Sequence, residues 1–196
     1  MEMNHAYHEV TDRIYSIKCL KRTGTPFNMP ANHYHDDYEI YYLSEGERYY
    51  FIKDRTYHIK KGDLVLINKN ELHRTSISSS PDHTKFMIHF KDQYLHGFRE
   101  LIHDTDIYTC FRNSINVIRP ELKDQLILEG FFAKMLDESK YKQEGSETCL
   151  KLLLVELLIF INRCMSHNTN SHFEHPNSLH ARVSEIIKYI NGNFSS

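Results

Sequence analysis

Several things are scarce in this chain of 196 residues, and each scarcity excludes a class. Seven glycines and five prolines rule out collagen-like and low-complexity architectures. The glycines stand singly, so neither a phosphate-cradling loop nor a dinucleotide-binding turn can be built from them. The four cysteines, Cys19, Cys110, Cys149 and Cys164, are far apart and form no CxxC pair, which reads as free thiols in a reducing compartment. Charge of one sign is also missing: 24 basic against 26 acidic side chains leave −2. A surface for polyanions shows instead as a clear excess of Lys and Arg. The most apolar run, residues 150–161, is interrupted by Lys151 and Glu156, and a membrane span needs about 20 apolar residues. The polar start carries no apolar core of a secretory signal, so the expectation is a cytoplasmic protein with no membrane partner. No serine sits in a GxSxG-like elbow, and no nucleophile triad is discernible.

What is present falls into two patterns. Up to residue 119, short runs rich in Tyr, Ile, Val and Phe recur between turn residues. They predict strands at 14–20, 38–43, 49–52, 56–59, 64–67, 75–78 and 85–90, with turns at 44–47, 53–55, 61–63 and 78–82. Connections this short favour antiparallel pairing, and many short strands favour a sandwich or small barrel. From Pro120 the period becomes helical: Leu128, Phe131, Phe132, Met135 and Leu136 recur at helix spacing. A polar break at 140–146 precedes a second helix with Ser146 as N-cap, and the pair reads as an αα-hairpin over 120–167. Residues 168–178 have linker composition, and Leu179, Val183, Ile186, Ile187 and Ile190 form one more helical stripe over 179–196.

The second helix is apolar nearly all round, more than one contact face requires. Leu150, Leu154, Leu157, Leu158 and Ile161 are therefore expected to serve a homodimer interface as well as packing.

Histidine is abundant, with 14 copies, and one grouping stands out: His33, His35 and Glu39, followed by Gly46. Read as an extended strand, the three ligand-type residues share parity and point to one side. Downstream, Gly62 opens an apolar strand and a loop that ends on His73. Two imidazoles and a carboxylate need one further ligand to hold a divalent cation, and Zn, Ni, Fe or Mn would each suit that donor set. The plain alternative is polar residues bracing a barrel mouth without metal. Asp36 and Asp37 beside the motif read as a solvated turn. Tyr41, in step with Glu39, and His89, inside an apolar strand, are candidates for an effector pocket; otherwise they are an ordinary strand tyrosine and a satisfied core histidine.

The spacing HxH, three residues, Glu, six residues, Gly resembles the first motif of the cupin superfamily, and Gly62 through His73 resembles the second. The resemblance implies a mainly β fold with C-terminal helices, a cupin-like double-stranded β-helix (jelly-roll barrel) over residues 1–119. It assigns the metal ligands to His33, His35, Glu39 and His73. Four motif positions depart: Phe27 and Asn70 replace glycines, Asn68 a proline and Ile77 an asparagine. More narrowly, HxHxxYEIYYLxxG, then GDLVLINxNELH, then FMIHFKDQYL, is similar to the sensor half of AraC-type transcriptional regulators. That likeness implies a small-molecule effector in the barrel, a dimerisation hairpin, and residues 179–196 as the first helix of a DNA-binding domain whose helix-turn-helix units lie beyond Ser196. DNA contact would come only through that further domain, and no enzymatic activity is implied. The rival class is a metal-dependent cupin enzyme, a dioxygenase or an isomerase.

Overall fold

A computed structural model describes residues 5–11, 14–98, 100, 102 and 104–167. The expected linker at 168–178, the last helix at 179–196 and its apolar stripe lie outside them. The strands are β1 (His5–Thr11), β2 (Tyr15–Arg22), β3 (Tyr38–Ile52), β4 (Arg55–Lys60), β5 (Leu64–Ile67), β6 (His73–Ile77), β7 (His83–Phe90) and β8 (Val117–Ile118). A 3₁₀ segment (Asp92–Phe98) and α1 (Thr109–Arg112) lead to the hairpin of α2 (Leu122–Tyr141) and α3 (Ser146–His167). The fold is mainly β with C-terminal helices, as the sequence motifs implied.

All the pairings between these strands are antiparallel. One layer runs β1-β2-β7-β3-β5-β8, while β4 and β6 pair with the second half of β3. The two predicted strands at 38–43 and 49–52 are thus one strand of 15 residues that serves both layers. The turn expected at 44–47 is a bulge, with a register shift against β7 between Leu43 and Glu45. Gly46 makes the bulge possible. Its φ is +84°, and a methyl there would run into Asp82 O and lie 3.0 Å from His83 Cα. The shift also changes which parity faces inward, from Glu39, Tyr41 and Leu43 to Arg48, Tyr50 and Ile52.

Two cores result. Even-numbered Tyr38, Ile40 and Tyr42 join Leu64, Leu66, Ile88 and Phe90 against Phe132, Leu154 and Leu158 of the hairpin. Inside the barrel, Tyr41, Leu43, Tyr50, Ile52, Ile59, Val65 and Ile67 form the second cluster. Strands buried on both faces read as unbroken apolar runs, which is why Leu64–Ile67 needs no alternation. Tyr42 fastens the layers by donating its hydroxyl to Glu129 of α2 at 2.9 Å.

Three local expectations need correction. Ser146 lies inside α3 and its hydroxyl, buried, finds no partner, so it does not cap. Residues 33–37 are not a strand: His33 makes an isolated bridge to His73, bends follow, and β3 begins at Tyr38. Leu150, Leu154, Leu157, Leu158 and Ile161 do not form an outward interface. They are buried within the chain, the last four at 0% exposure, because α3 packs against α2, α1 and the 3₁₀ segment. One departure from the cupin motif keeps its geometry: Asn70, at a glycine position, holds a left-handed φ of 58°, which Asn tolerates better than other side chains.

Candidate metal centre

Glu39 is the hub of the polar end of the barrel interior. It opposes His89 across the β3–β7 ladder, and both side chains point inward. Its Oε2 lies 3.2 Å from His35 Nε2, 3.0 Å from His89 Nε2 and 3.4 Å from His73 Nε2. Its other oxygen accepts the Tyr50 hydroxyl at 2.7 Å. The carboxylate is almost wholly buried. Burial alone would push its pKa up, but the three imidazoles outweigh that and hold it well below the ordinary range.

His33 reaches the group differently from the sequence argument. Its backbone exchanges hydrogen bonds with His73: His33 N–H to His73 O at 3.1 Å, His73 N–H to His33 O at 2.9 Å. The two rings consequently lie 4.2 Å apart. His35 arrives through the bend at 36–37, with its Nδ1 3.0 Å from Asp37 O. His73 Nδ1 likewise sits 2.7 Å from Glu71 O. A carbonyl can only accept, so these contacts fix Nδ1 as the protonated nitrogen in the neutral rings. Nε2 of His35 and of His73 is thereby left with a bare lone pair facing Glu39, the tautomer a metal ligand requires. Burial opposes charge on His35, yet the bond to Glu39 and its field prevail and raise its pKa. His33 is shifted the other way, by burial and then by His73, and its buried Nδ1 has no hydrogen-bond partner.

Donor atoms of His33, His35 and His73 lie within 4.8 Å of one another, as do those of His35, Glu39 and His89. In a tetrahedral zinc site, ligand atoms about 2.1 Å from the ion stand roughly 3.4 Å apart. The donor set fits a borderline divalent cation: imidazoles, one carboxylate, and an orphaned buried nitrogen with nothing else to do. Bound there, a cation would supply Lewis acidity or an open coordination position. The residues placed to hold it would be His33, His35 and His73, or His35, Glu39 and His89.

His89 belongs to this cluster, whereas the sequence reading gave it to an effector pocket. Its position opposite Glu39 was hidden because register between distant strands is not written in either strand alone. Tyr41 is one step along the inner face, where its ring packs edge-on against Tyr50 at 5.2 Å. Asp36 and Asp37 stay near the surface, 3.5 and 3.8 Å from Lys91.

Residues 16–136 match the model of the AraC-like ligand binding domain, well over half of the chain. The chain belongs to that family. Over 57 residues it is 43% identical to the uncharacterized HTH-type transcriptional regulator YbfI of Bacillus subtilis, a stretch that is 29% of this chain and 20% of that protein. Over 66 residues it is 32% identical to acireductone dioxygenase of Candida albicans, 31% of this chain and 37% of that enzyme. These stretches cover well under half of either relative. Among solved structures, ToxT of Vibrio cholerae in its apo K231A form superimposes with a TM-score of 0.53 at 14% identity, covering 94% of this chain and 67% of that one. A second ToxT structure gives 0.50 at 16% identity, with the same coverage. At such identities the likeness concerns the fold, and it takes in both the barrel and the hairpin. No described helix is long and apolar enough to cross a membrane.

Proposed function

We propose that this AraC-like ligand binding domain senses a small-molecule effector in the barrel and, as part of a transcriptional regulator, passes that state to a DNA-binding domain. The observation that carries the reading is the family match over the barrel and α2, joined to a barrel interior lined with polar groups beyond what packing needs. The relative named as an HTH-type regulator supports it. An effector shifts such a system only through unequal affinity for its two states. A divalent cation held by His33, His35 and His73, or by His35, Glu39 and His89, is part of the proposal, and so is a cytoplasmic location.

The homodimer is proposed on a different surface from the one the sequence indicated. On α2, Leu122 and Leu126 stand one turn apart, 72% and 63% exposed, with Ile127 beside them. A second copy covering this stripe would fix the separation of two DNA readers.

The test is a thermal-shift screen of small molecules, followed by a promoter reporter carrying the whole gene. A compound that stabilises the chain and changes reporter output supports the reading; stabilisers without any effect on output contradict it. The second reading, a cupin dioxygenase, is favoured by the match to acireductone dioxygenase and by the histidine cluster. Oxygen uptake by the metal-loaded chain with an enediol substrate would support that reading against the first.

A further inference from the structure

Beyond Tyr41, the inner face of the barrel changes character. Along β7 the inward positions run His89, Met87, Lys85 and His83, and across the ladder Leu43 faces Lys85 and Gly46 faces His83. After the bulge, β3 contributes Arg48, which is 1% exposed. Two cations are therefore placed inside a barrel whose neighbouring walls, Ile59 and Val65, are apolar. Arg48 Nη2 donates to Phe27 O at 2.7 Å, while Nε and Nη1 are buried with no acceptor. Lys85 Nζ lies 5.1 Å over the ring of Tyr41, and the Tyr41 hydroxyl is itself buried without a partner. Among the described residues no carboxylate forms an ion pair with Arg48 or Lys85.

A guanidinium cannot shed its proton, so a buried one with two idle nitrogens calls for an anion or for water. The groups lie close enough to feel one another: the Arg48 charge acts on Tyr41, on His83 and on Lys85. Burial and those neighbouring cations push Lys85 down to about 8, with Glu39 pulling the other way, so it still carries its proton at neutral pH. The Tyr41 phenol offers one O–H donor, and its oxygen has no partner.

We propose that Arg48, Lys85 and the Tyr41 hydroxyl form a binding site for the carboxylate of a small organic acid, whose apolar body rests on the aliphatic wall. The two oxygens of a planar carboxylate accept from donors of this kind. No glycine-rich turn on this wall offers the run of backbone N–H groups that phosphate sites use. The site is separate from the imidazole cluster: Tyr41 and Tyr50 stand between, with Tyr50 turned to Glu39. The inference rests on the barrel being the effector chamber, and it names the chemical class of that effector.

The experiment is thermal shift and calorimetry on the chain with 10 mM butyrate or benzoate, the matching amides, and inorganic phosphate, before and after removal of metal with EDTA. At least one acid raises Tm, its amide does not, and the shift survives EDTA. Absence of any response to both acids overturns the inference. So does an equal response to the amides, a larger response to phosphate, or a response that disappears with the metal. Arg48→Met and Lys85→Met replace each cation by an apolar chain of similar length. Each weakens the acid at least about tenfold, the loss expected for one charged hydrogen bond, while the metal still binds. If Arg48→Met fails to fold, Lys85→Met alone decides, and unaltered affinity in it refutes the site. Binding of the acid with no effect on the reporter would instead count against the regulator reading and leave this site standing.

Discussion

Replacing Glu39 by Gln tests the electrostatic hub, because the side-chain shape survives and only the charge is lost. In the metal-free protein the carboxylate accepts from Tyr50 and holds His35 and His89 at 3.2 and 3.0 Å. Its presence raises the pKa of His35 above the ordinary imidazole value. A group raised on folding stabilises fully below its unfolded pKa, about 6.5, and that contribution fades as pH climbs through the folded value. Glutamine removes it, and burial then penalises the imidazolium. The cost of the substitution is therefore larger in mild acid. At pH 5.5 one charged hydrogen bond, about 1.5–3 kcal/mol, is at stake; as His35 loses its proton in alkaline buffer its Nε2 no longer donates and that contribution fades. For a domain of this size each kcal/mol moves Tm by about 2–4 °C. The loss in Tm should thus be about 3–12 °C at pH 5.5 and clearly smaller at pH 8.5, by calorimetry on EDTA-dialysed protein. An equal loss at both pH values, or a greater one at pH 8.5, would refute the reasoning.

The other predictions concern the frame around the site. Gly46→Ala should cost about 2–5 kcal/mol in urea unfolding, from a left-handed φ and a collision with Asp82 and His83; Gly24→Ala, with φ +74° but open space around it, should cost only about 1–2. Burial lowers His83 to about 4, so between pH 6.5 and 4 the unfolded chain takes up a proton that the folded one refuses. Stability falls across that window, by up to about 3 kcal/mol, and His83→Gln should flatten the fall in a pH series of melting curves. Leu158→Ala should destabilise by about 2–5 kcal/mol through a core cavity, without altering molecular mass by light scattering. Leu126→Asp should leave the monomer folded and halve the mass.

Part of the site was legible because cupin-like spacing picks out residues that end as neighbours: His35 and His73 lie 3.2 and 3.4 Å from Glu39, and the His33 ring 4.2 Å from that of His73. Shared parity cannot operate through residues 33–37, which bend; a backbone bridge between His33 and His73 does the work. Long-range register was the main thing hidden. It brings His89 to Glu39 and Lys85 to Leu43, and neither strand announces its partner. The bulge at Gly46 concealed Arg48 in the same way, by switching the inward parity mid-strand. The hairpin shows the limit of amphipathicity: an all-round apolar helix has to be covered, and the sequence does not say whether by its own barrel or by a twin. Here α2, α1 and the 3₁₀ segment of the same chain pack on α3, and Leu154, Leu157, Leu158 and Ile161 are fully buried.

The imidazole cluster as a metal centre is tested most directly by elemental analysis of the untagged chain beside its His35→Ala/His73→Ala variant. The account predicts close to one equivalent of a transition metal per chain in the parent and less than a tenth of that in the variant. Equal metal in both would contradict it.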